Sequence, residues 1–137
     1  MEKRIVIVED NPADLNLTKL AFGELDISDQ LIHFDNGGFF IEYLAVVSAK
    51  DVSFVLLDLN LPGLTGFEIL KYLRETPEYK DMPVIVFTTS IDLGHMHKCY
   101  KLGCNAYVAK PLDINDYFNT IQRISGFWMR GATIKQL

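Results

Sequence analysis

Short runs of apolar and β-branched residues alternate along the chain with longer segments that carry apolar residues at helical spacing. There are five such runs, at residues 5–8, 31–34, 54–57, 84–87 and 106–108. Three of them are continuously apolar, which is typical of parallel strands covered by helices on both faces. The pattern therefore predicts an α/β fold with a doubly wound, five-stranded parallel sheet and right-handed crossovers. For its strand order we take 2-1-3-4-5, a common order of this fold rather than a deduction from the residues.

Capping residues mark two of the predicted helices. Asn11 can cap the first helix, with Pro12 at its first helical position, and Asp113 can cap the last. The apolar positions expected on the inner faces are Leu17, Leu20 and Ala21 in the first helix and Ile114, Tyr117, Phe118, Ile121, Ile124 and Trp128 in the last.

The charge balance argues against two classes of partner. The 137 residues include 18 acidic and 13 basic side chains, a formal net charge of -5, whereas nucleic acids and anionic membranes require a basic face. The first apolar run is too short for a signal peptide, and no stretch approaches the ~18 residues of a membrane span. We expect one cytoplasmic domain over residues 1–137, with its core at about 4–124 and an extended C-terminal helix and tail at 125–137.

The two cysteines, Cys99 and Cys104, do not form a CxxC motif. A reducing cytoplasm favours free thiols, so we expect both to be buried and chemically idle. His95 and Cys99 share a helix face and could bind a metal together, but two ligands fall short of the four that zinc takes.

Polar residues follow four of the predicted strands. In chain order they are Glu9 and Asp10, Asp58, Thr88 and Thr89, and Lys110. In the order 2-1-3-4-5, strands one, three, four and five are successive neighbours, and their carboxyl ends meet at one edge of the sheet. Any single one of these residues is ordinary at a strand end, but the set predicts a crevice with three carboxylates, hydroxyls and an ammonium.

The charges of this crevice indicate its chemistry. Three carboxylates within a few ångströms repel one another, and Lys110 offsets only one of them. A hard divalent cation such as Mg²⁺ prefers a few carboxylates together with water and phosphate oxygens. Phosphoryl transfer depends mainly on positioning and charge neutralisation, and an aspartate can be its nucleophile. The crevice therefore predicts a magnesium-dependent phosphoryl site.

From about residue 4 to residue 124 the chain resembles the receiver family of two-component signalling, which has a flavodoxin-like fold. Four segments in order carry the resemblance, and the spacing of 30 residues from Asp58 to Thr88 and 22 from Thr88 to Lys110 is usual in that family. The segments are Val8-Glu9-Asp10-Asn11, Leu56-Leu57-Asp58-Leu59-Asn60-Leu61-Pro62-Gly63 with Gly66, Val86-Phe87-Thr88, and Tyr107-Val108-Ala109-Lys110-Pro111.

The resemblance implies a magnesium site and a phosphoacceptor. Asp58 matches the aspartate that accepts a phosphoryl group from a sensor histidine kinase. Glu9 and Asp10 match the acidic pair that binds Mg²⁺ together with Asp58, and the backbone carbonyl of Asn60 matches a further ligand. The chain would then be a phosphoacceptor signalling protein that promotes its own phosphorylation and dephosphorylation, not an enzyme with a separate substrate.

The resemblance also implies a switch. Thr88 matches the hydroxyl that moves to the phosphoryl group, Lys110 the cation that pairs with it, and Tyr107 the aromatic residue that swings inward when Thr88 moves. The bond before Pro111 is cis in the family.

Two residues depart from the family pattern. Glu9 stands where aspartate is commoner, and its longer side chain is expected to preserve Mg²⁺ binding with a different arrangement of water. Thr89 stands where the family has a smaller residue, and its bulk would either shield the phosphoryl group or slow its transfer.

A narrower resemblance links the chain to the single-domain regulators of bacterial phytochrome kinases. It lies in the segment Glu-Asp-Asn-Pro-Ala-Asp at residues 9–14 and in Gly126-Phe127-Trp128. In one interpretation Trp128 only closes the core beneath the last helix. In the other, Phe127 and Trp128 form a homodimer surface, since tryptophan is frequent at interfaces.

Other functions fit the residues less well. A flavodoxin-like cofactor binder would need a phosphate loop, but Glu9-Asp10-Asn11-Pro12 repels phosphate and lacks an amide at Pro12. A haloacid-dehalogenase-like phosphatase has an Asp-x-Asp pair after its first strand, which this chain lacks. The main alternatives are a receiver fold that signals without phosphorylation and a relay intermediate or phosphate sink.

Overall fold

A five-stranded parallel sheet forms the centre of the computed structural model, which describes residues 3–27 and 30–129. The strand order is 2-1-3-4-5, so the predicted fold is confirmed. The strands are β1 (Arg4–Val8), β2 (Leu31–Phe34), β3 (Val52–Leu57), β4 (Val84–Thr88) and β5 (Ala106–Ala109).

Five α-helices cover the two faces of this sheet. They are α1 (Pro12–Glu24), α2 (Gly37–Leu44), α3 (Gly66–Glu75), α4 (Leu93–Leu102) and α5 (Ile114–Met129), with a short 3-10 helix at Ala49–Asp51 before β3. Alternate residues of each central strand face opposite sides. One hydrophobic core therefore lies under α2, α3 and α4, and a second lies under α1 and α5. None of the helices in residues 3–27 and 30–129 combines the length and apolarity that crossing a membrane requires.

The first helix begins as its sequence predicts. The side chain of Asn11 accepts hydrogen bonds from the amides of Ala13 (2.9 Å) and Asp14 (3.1 Å), and Pro12 is the first helical residue. The prediction that Leu20 faces inward is wrong, because that side chain is 60% exposed. The buried positions are Thr18, Ala21 and Phe22, so the inner face of α1 is rotated relative to the one expected from the leucines.

The last helix also has its predicted cap, since the Asp113 side chain accepts a hydrogen bond from the Asp116 amide at 3.0 Å. Tyr117, Ile121 and Ile124 are buried as expected. The prediction that Ile114 faces inward is wrong, because that side chain is 58% exposed and does not belong to the core under α5. The helix continues to Met129, and the predicted tail at 130–137 lies outside the described residues.

The first residue of α3 packs against the strand end that carries Asp58. A Cβ atom added to Gly66 would lie 2.7 Å from the Cα of Leu59 and would also overlap the backbone carbonyl of Asp58. Only glycine leaves room for this approach. The start of α3 therefore fixes the position of the Asp58 backbone.

Replacing Gly66 with alanine should push the backbone of Asp58 out of place. We expect Gly66→Ala to lower the free energy of unfolding by about 1–3 kcal/mol, as overpacking does elsewhere. Gly23→Ala is the matched control, because a Cβ at this helical position meets nothing within 4 Å. That control should be neutral or stabilising by up to about 1 kcal/mol. Urea denaturation measures both, and equal effects would contradict the role given to Gly66.

Candidate phosphoryl and metal site

One cleft at the carboxyl edge of the sheet is lined by four of the residues predicted from the strand ends, Asp10, Asp58, Thr89 and Lys110. The other two, Glu9 and Thr88, are buried and do not line it. The volume of the cleft is about 430 Å³. The lining residues come from the ends of β1, β3, β4 and β5 and from the start of α1; they are Asp10, Asn11, Pro12, Asp14, Asp58, Asn60, Thr89 and Lys110.

Three carboxylates beside this cleft are close enough to share one cation. Glu9, Asp10 and Asp58 each place a carboxylate oxygen within 4.8 Å of the others. Glu9 and Asp58 are buried and Asp10 is exposed, so the group has a closed side and an open side. A hard divalent cation with part of its shell in water fits this all-oxygen donor set and its charge.

The ammonium of Lys110 lies among carboxylates from three parts of the chain. It forms an ion pair with Glu9, another with Asp14 at 2.9 Å and a third with Asp58 at 3.3 Å. Lys110 is buried, and its backbone amide donates to the carbonyl of Thr88 at 2.7 Å. The residue that follows β5 is thus held by both its side chain and its backbone.

Burial and neighbouring charges shift the pKa values of Glu9 and Lys110. Burial raises the pKa of Glu9; the hydrogen bond from Lys110 lowers it again and the neighbouring Asp58 raises it, so that the pKa is about 7 instead of 4.5. Burial alone would lower the pKa of Lys110, but its bond to Glu9 and the charge of Asp58 outweigh that effect and raise it. Lys110 therefore stays charged, while Glu9 exchanges a proton near neutral pH.

The hydroxyl groups and Asn60 also lie at this edge. Thr88 is fully buried, and its hydroxyl oxygen accepts a hydrogen bond from the Ser90 amide at 3.4 Å. The Asn60 amide donates to the Asp58 carboxylate at 3.4 Å. Thr89 lines the cleft.

The expectation of a cis peptide bond before Pro111 is wrong, because no peptide bond among residues 3–27 and 30–129 is cis. The trans form of such bonds is the more stable one by about 0.5–1 kcal/mol.

Tyr107 connects β5 to the loop that follows β4. Its hydroxyl donates to the carbonyl of Ser90 at 2.8 Å, two residues beyond Thr88. Its backbone amide donates to the hydroxyl of Tyr100 in α4 at 3.1 Å. The ring is half-buried, and burial is the main cause of its raised pKa. Tyr107 thus contacts the loop that begins directly after Thr88.

Two polar contacts of the site were not predicted. Asp14 pairs with Lys110, and His33 contacts the backbone carbonyl oxygen of Glu9 through Nε2 at 2.7 Å. Asp14 belongs to the segment that marks the narrower resemblance, and its place in the first turn of α1 was the available signal. His33 occupies an edge strand whose pairing with β1 brings it beside Glu9.

The residues outside the cleft differ in their exposure. Phe127 is 46% exposed, whereas Trp128 is half-buried and packs on the core under α1 and α5. Their rings meet edge to face, with centroids 4.9 Å apart.

Cys99 and Cys104 are free and buried. Burial raises the pKa of Cys99 to about 12, which opposes metal binding by this thiol together with His95.

Known proteins are similar to this one in sequence over nearly the whole chain. Residues 5–122 match the response regulator receiver domain. The chain belongs to this family. It is 32% identical over 136 residues to the response regulator Rcp1 of Synechocystis sp., a match that covers 96% of this chain and 92% of the relative.

Solved structures of response regulators agree with the fold. The phosphorylated cyanobacterial phytochrome response regulator RcpA superposes with a TM-score of 0.86 at 31% identity, covering 94% of this chain and 95% of that one. The Mn(2+)-bound form of Rcp1 superposes with a TM-score of 0.79 at 32% identity, covering 92% and 94%. Receivers in this family bind Mg²⁺ at an acidic site, and this chain has an acidic cluster in place.

The raised pKa of Glu9 predicts a pH-dependent stability. In metal-free protein the folded state holds a proton between pH 4.5 and about 7 that the unfolded chain has released. The free energy of unfolding should therefore fall as pH rises through this interval, and the stabilisation by Mg²⁺ should be larger at pH 8 than at pH 5.5 because the cation needs the carboxylate. Urea titrations at several pH values measure both effects. Glu9→Gln is the control that should lose the slope, and a parallel course of the two proteins would refute the assignment.

Proposed function

We propose that this response regulator accepts a phosphoryl group on Asp58 from a sensor histidine kinase and thereby changes the surface it offers to other proteins. The observation that carries the proposal is the meeting of Glu9, Asp10, Asp58 and Lys110 at one sheet edge. Asp58 is buried but borders an open cleft, so a donor can approach its carboxylate from one side only.

The transfer needs a nucleophile and neutralisation of charge. A carboxylate oxygen of Asp58 attacks the phosphorus of a phosphohistidine, the new O–P bond forms as the N–P bond breaks, and the imidazole nitrogen leaves with the electron pair of that bond and takes a proton from solvent. Lys110 is 3.3 Å from Asp58 and faces the growing charge on the phosphoryl oxygens. Its raised pKa keeps it positively charged throughout.

Mg²⁺ would be held by Glu9, Asp10 and Asp58, with the backbone carbonyl of Asn60 as a further ligand. When bound, the ion neutralises negative charge on the transferred group. Glu9 would then serve both Lys110 and the ion, and its side chain is one methylene longer than that of the aspartate commoner at this position. Thr89 lines the open side of the cleft, where its bulk restricts the approach of water and of the donor alike.

The switch would begin at Thr88 and end at Tyr107. An aspartyl phosphate brings added negative charge and three acceptor oxygens, to which the Thr88 hydroxyl can donate. Movement of the Thr88 hydroxyl would change the hydrogen bond that it accepts from the Ser90 amide. The carbonyl of Ser90 in turn accepts a hydrogen bond from the Tyr107 hydroxyl. Coupling of this kind is typically about 1–3 kcal/mol, which shifts a population without making a new fold.

A phytochrome-type histidine kinase is the proposed donor. The support is the likeness to the phytochrome response regulator RcpA over 94% of this chain. A relay to a second histidine protein is the other use of the same site. The acidic charge of the chain, -5 overall, gives no reason to include nucleic acid among the partners.

We also propose that Phe127 forms part of a homodimer surface, with Trp128 fixing the end of α5 beneath it. Phe127 is exposed beside a ring that is anchored in the core, so its position is defined before any partner binds. Pre-positioned aromatic side chains are favourable contact points because little rotational freedom is lost on binding.

Replacing Asp58 tests the phosphoacceptor. With Mg²⁺ and acetyl phosphate, intact-mass spectrometry should record the gain of one phosphoryl group in the wild type and none in Asp58→Asn. Asp116→Asn is the matched control, because it removes the same charge from an exposed position on α5. A wild type that stays unphosphorylated would favour the alternative, a receiver fold that signals through contacts alone.

Replacing Phe127 tests the dimer surface. Phe127→Ser should lower the dimer fraction in sedimentation equilibrium, whereas Phe39→Ser, which removes an aromatic ring that is 58% exposed on α2, should leave it unchanged. Trp128→Ala should instead lower the free energy of unfolding, by about 1–3 kcal/mol for a half-buried ring. Equal dimer fractions in the wild type, Phe127→Ser and Phe39→Ser would rule out a role for Phe127 in dimerisation.

A further inference from the structure

Asp14 is a cleft-lining acid that has no part in the proposed transfer. Its carboxylate lies 2.9 Å from the Lys110 ammonium, which is closer than the 3.3 Å that separates Lys110 from Asp58. The carboxylate is 24% exposed and is not one of the three that gather around the metal position. Lys110 is therefore drawn toward α1 as well as toward the acceptor.

The position of Asp14 is fixed from two directions. Its backbone amide donates to the Asn11 side chain at 3.1 Å in the cap of α1. Its backbone carbonyl accepts a hydrogen bond from the Tyr117 hydroxyl in α5 at 3.1 Å, and that hydroxyl lies 2.8 Å from the hydroxyl of Thr18. Tyr117 and Thr18 are buried. The backbone of Asp14 is thus held by two other side chains, independently of its ion pair with Lys110.

The number of N–H donors on the Lys110 ammonium explains why Asp14 matters for the transfer. An ammonium has three N–H donors, and Lys110 directs them at Glu9, Asp14 and Asp58. A phosphoryl group on Asp58 adds acceptors that need one of these donors. Bound Mg²⁺ would be held by Glu9 and Asp58, and the phosphoryl group would be attached to Asp58. Neither of them would neutralise the charge of Asp14. Asp14 therefore remains as the charge that competes with the phosphoryl group for Lys110.

We propose that Asp14 is a positioning residue that restrains Lys110 in the unphosphorylated protein and so sets how readily the lysine engages a phosphoryl group on Asp58. This inference rests on the proposed function of Asp58 and deepens it. Asp14 acts through Lys110, because its carboxylate contacts that ammonium, whereas its backbone amide and carbonyl bond to the side chains of Asn11 and Tyr117. The restraint raises the threshold for phosphorylation without entering the chemistry.

The test compares beryllofluoride binding, at saturating Mg²⁺, in variants that differ in one charge. Asp14→Asn keeps the shape and an acceptor oxygen but loses the charge, so half-saturation should occur at a roughly two- to fivefold lower beryllofluoride concentration, the effect of one partly exposed ion pair. Asp14→Glu restores the charge and should return the value toward that of the wild type. Glu24→Gln removes an exposed acid from the other end of the same helix, about 15 Å away, and should change nothing.

A second readout follows Lys110 itself. The ¹⁵N signal of the Lys110 ammonium should shift in ligand-free Asp14→Asn toward its position in the beryllofluoride complex of the wild type, and should stay in place in Glu24→Gln. The proposal is overturned if Asp14→Asn binds beryllofluoride as the control does or more weakly, or if its ammonium signal does not move. If no variant binds beryllofluoride, the proposed function of Asp58 fails, and the ammonium signal alone still decides whether Asp14 holds Lys110.

Discussion

Everything at the functional edge of this protein depends on one buried ammonium among carboxylates. Lys110 contacts Glu9, Asp14 and Asp58. Glu9 and Asp58 directly follow β1 and β3, and Asp14 lies in the first turn of α1. Carboxylates that leave water need a cation nearby, because burying them ionised and unpaired is strongly unfavourable. Lys110 supplies part of that charge in the resting protein, and the proposed magnesium ion supplies the rest. Lys110 thus allows the carboxylates to be buried when the protein folds. Their negative charge still exceeds its single positive charge, and this excess favours the binding of a metal cation.

The backbone makes this arrangement reproducible. Parallel pairing aligns Val8 with Leu57 and Thr88 with Ala109, so the residues that follow these strands emerge side by side. At the opposite end of β4 and β5, Arg74 donates to the carbonyls of Gly103 and Tyr79 and to the side chain of Asn105. The same Asn105 oxygen accepts from the Val84 amide at 2.8 Å, so the two strands are anchored where they begin.

The sequence predicts those features that depend on local pattern. Strand positions, the caps of α1 and α5 and the strand-end acids follow from periodicity, side-chain chemistry and a family resemblance, and the family and fold are confirmed. The inward placement of Leu20 and Ile114 is wrong, because helical spacing gives a stripe but not its rotation relative to the sheet. The Asp14–Lys110 pair was not predicted, since it joins residues 96 positions apart through a helix orientation that only packing decides.

The hydrophobic interior is divided into two cores, and each of them supports a different set of residues near the site. The layer of α1 and α5 supports Asp14 and Tyr117, whereas α4 packs on the opposite side of the sheet, where Tyr100 reaches Tyr107. Residues that share no contacts usually contribute to stability independently. Substitutions on the outer surface of α4 should therefore leave the packing of α1 and α5 around Asp14 unchanged.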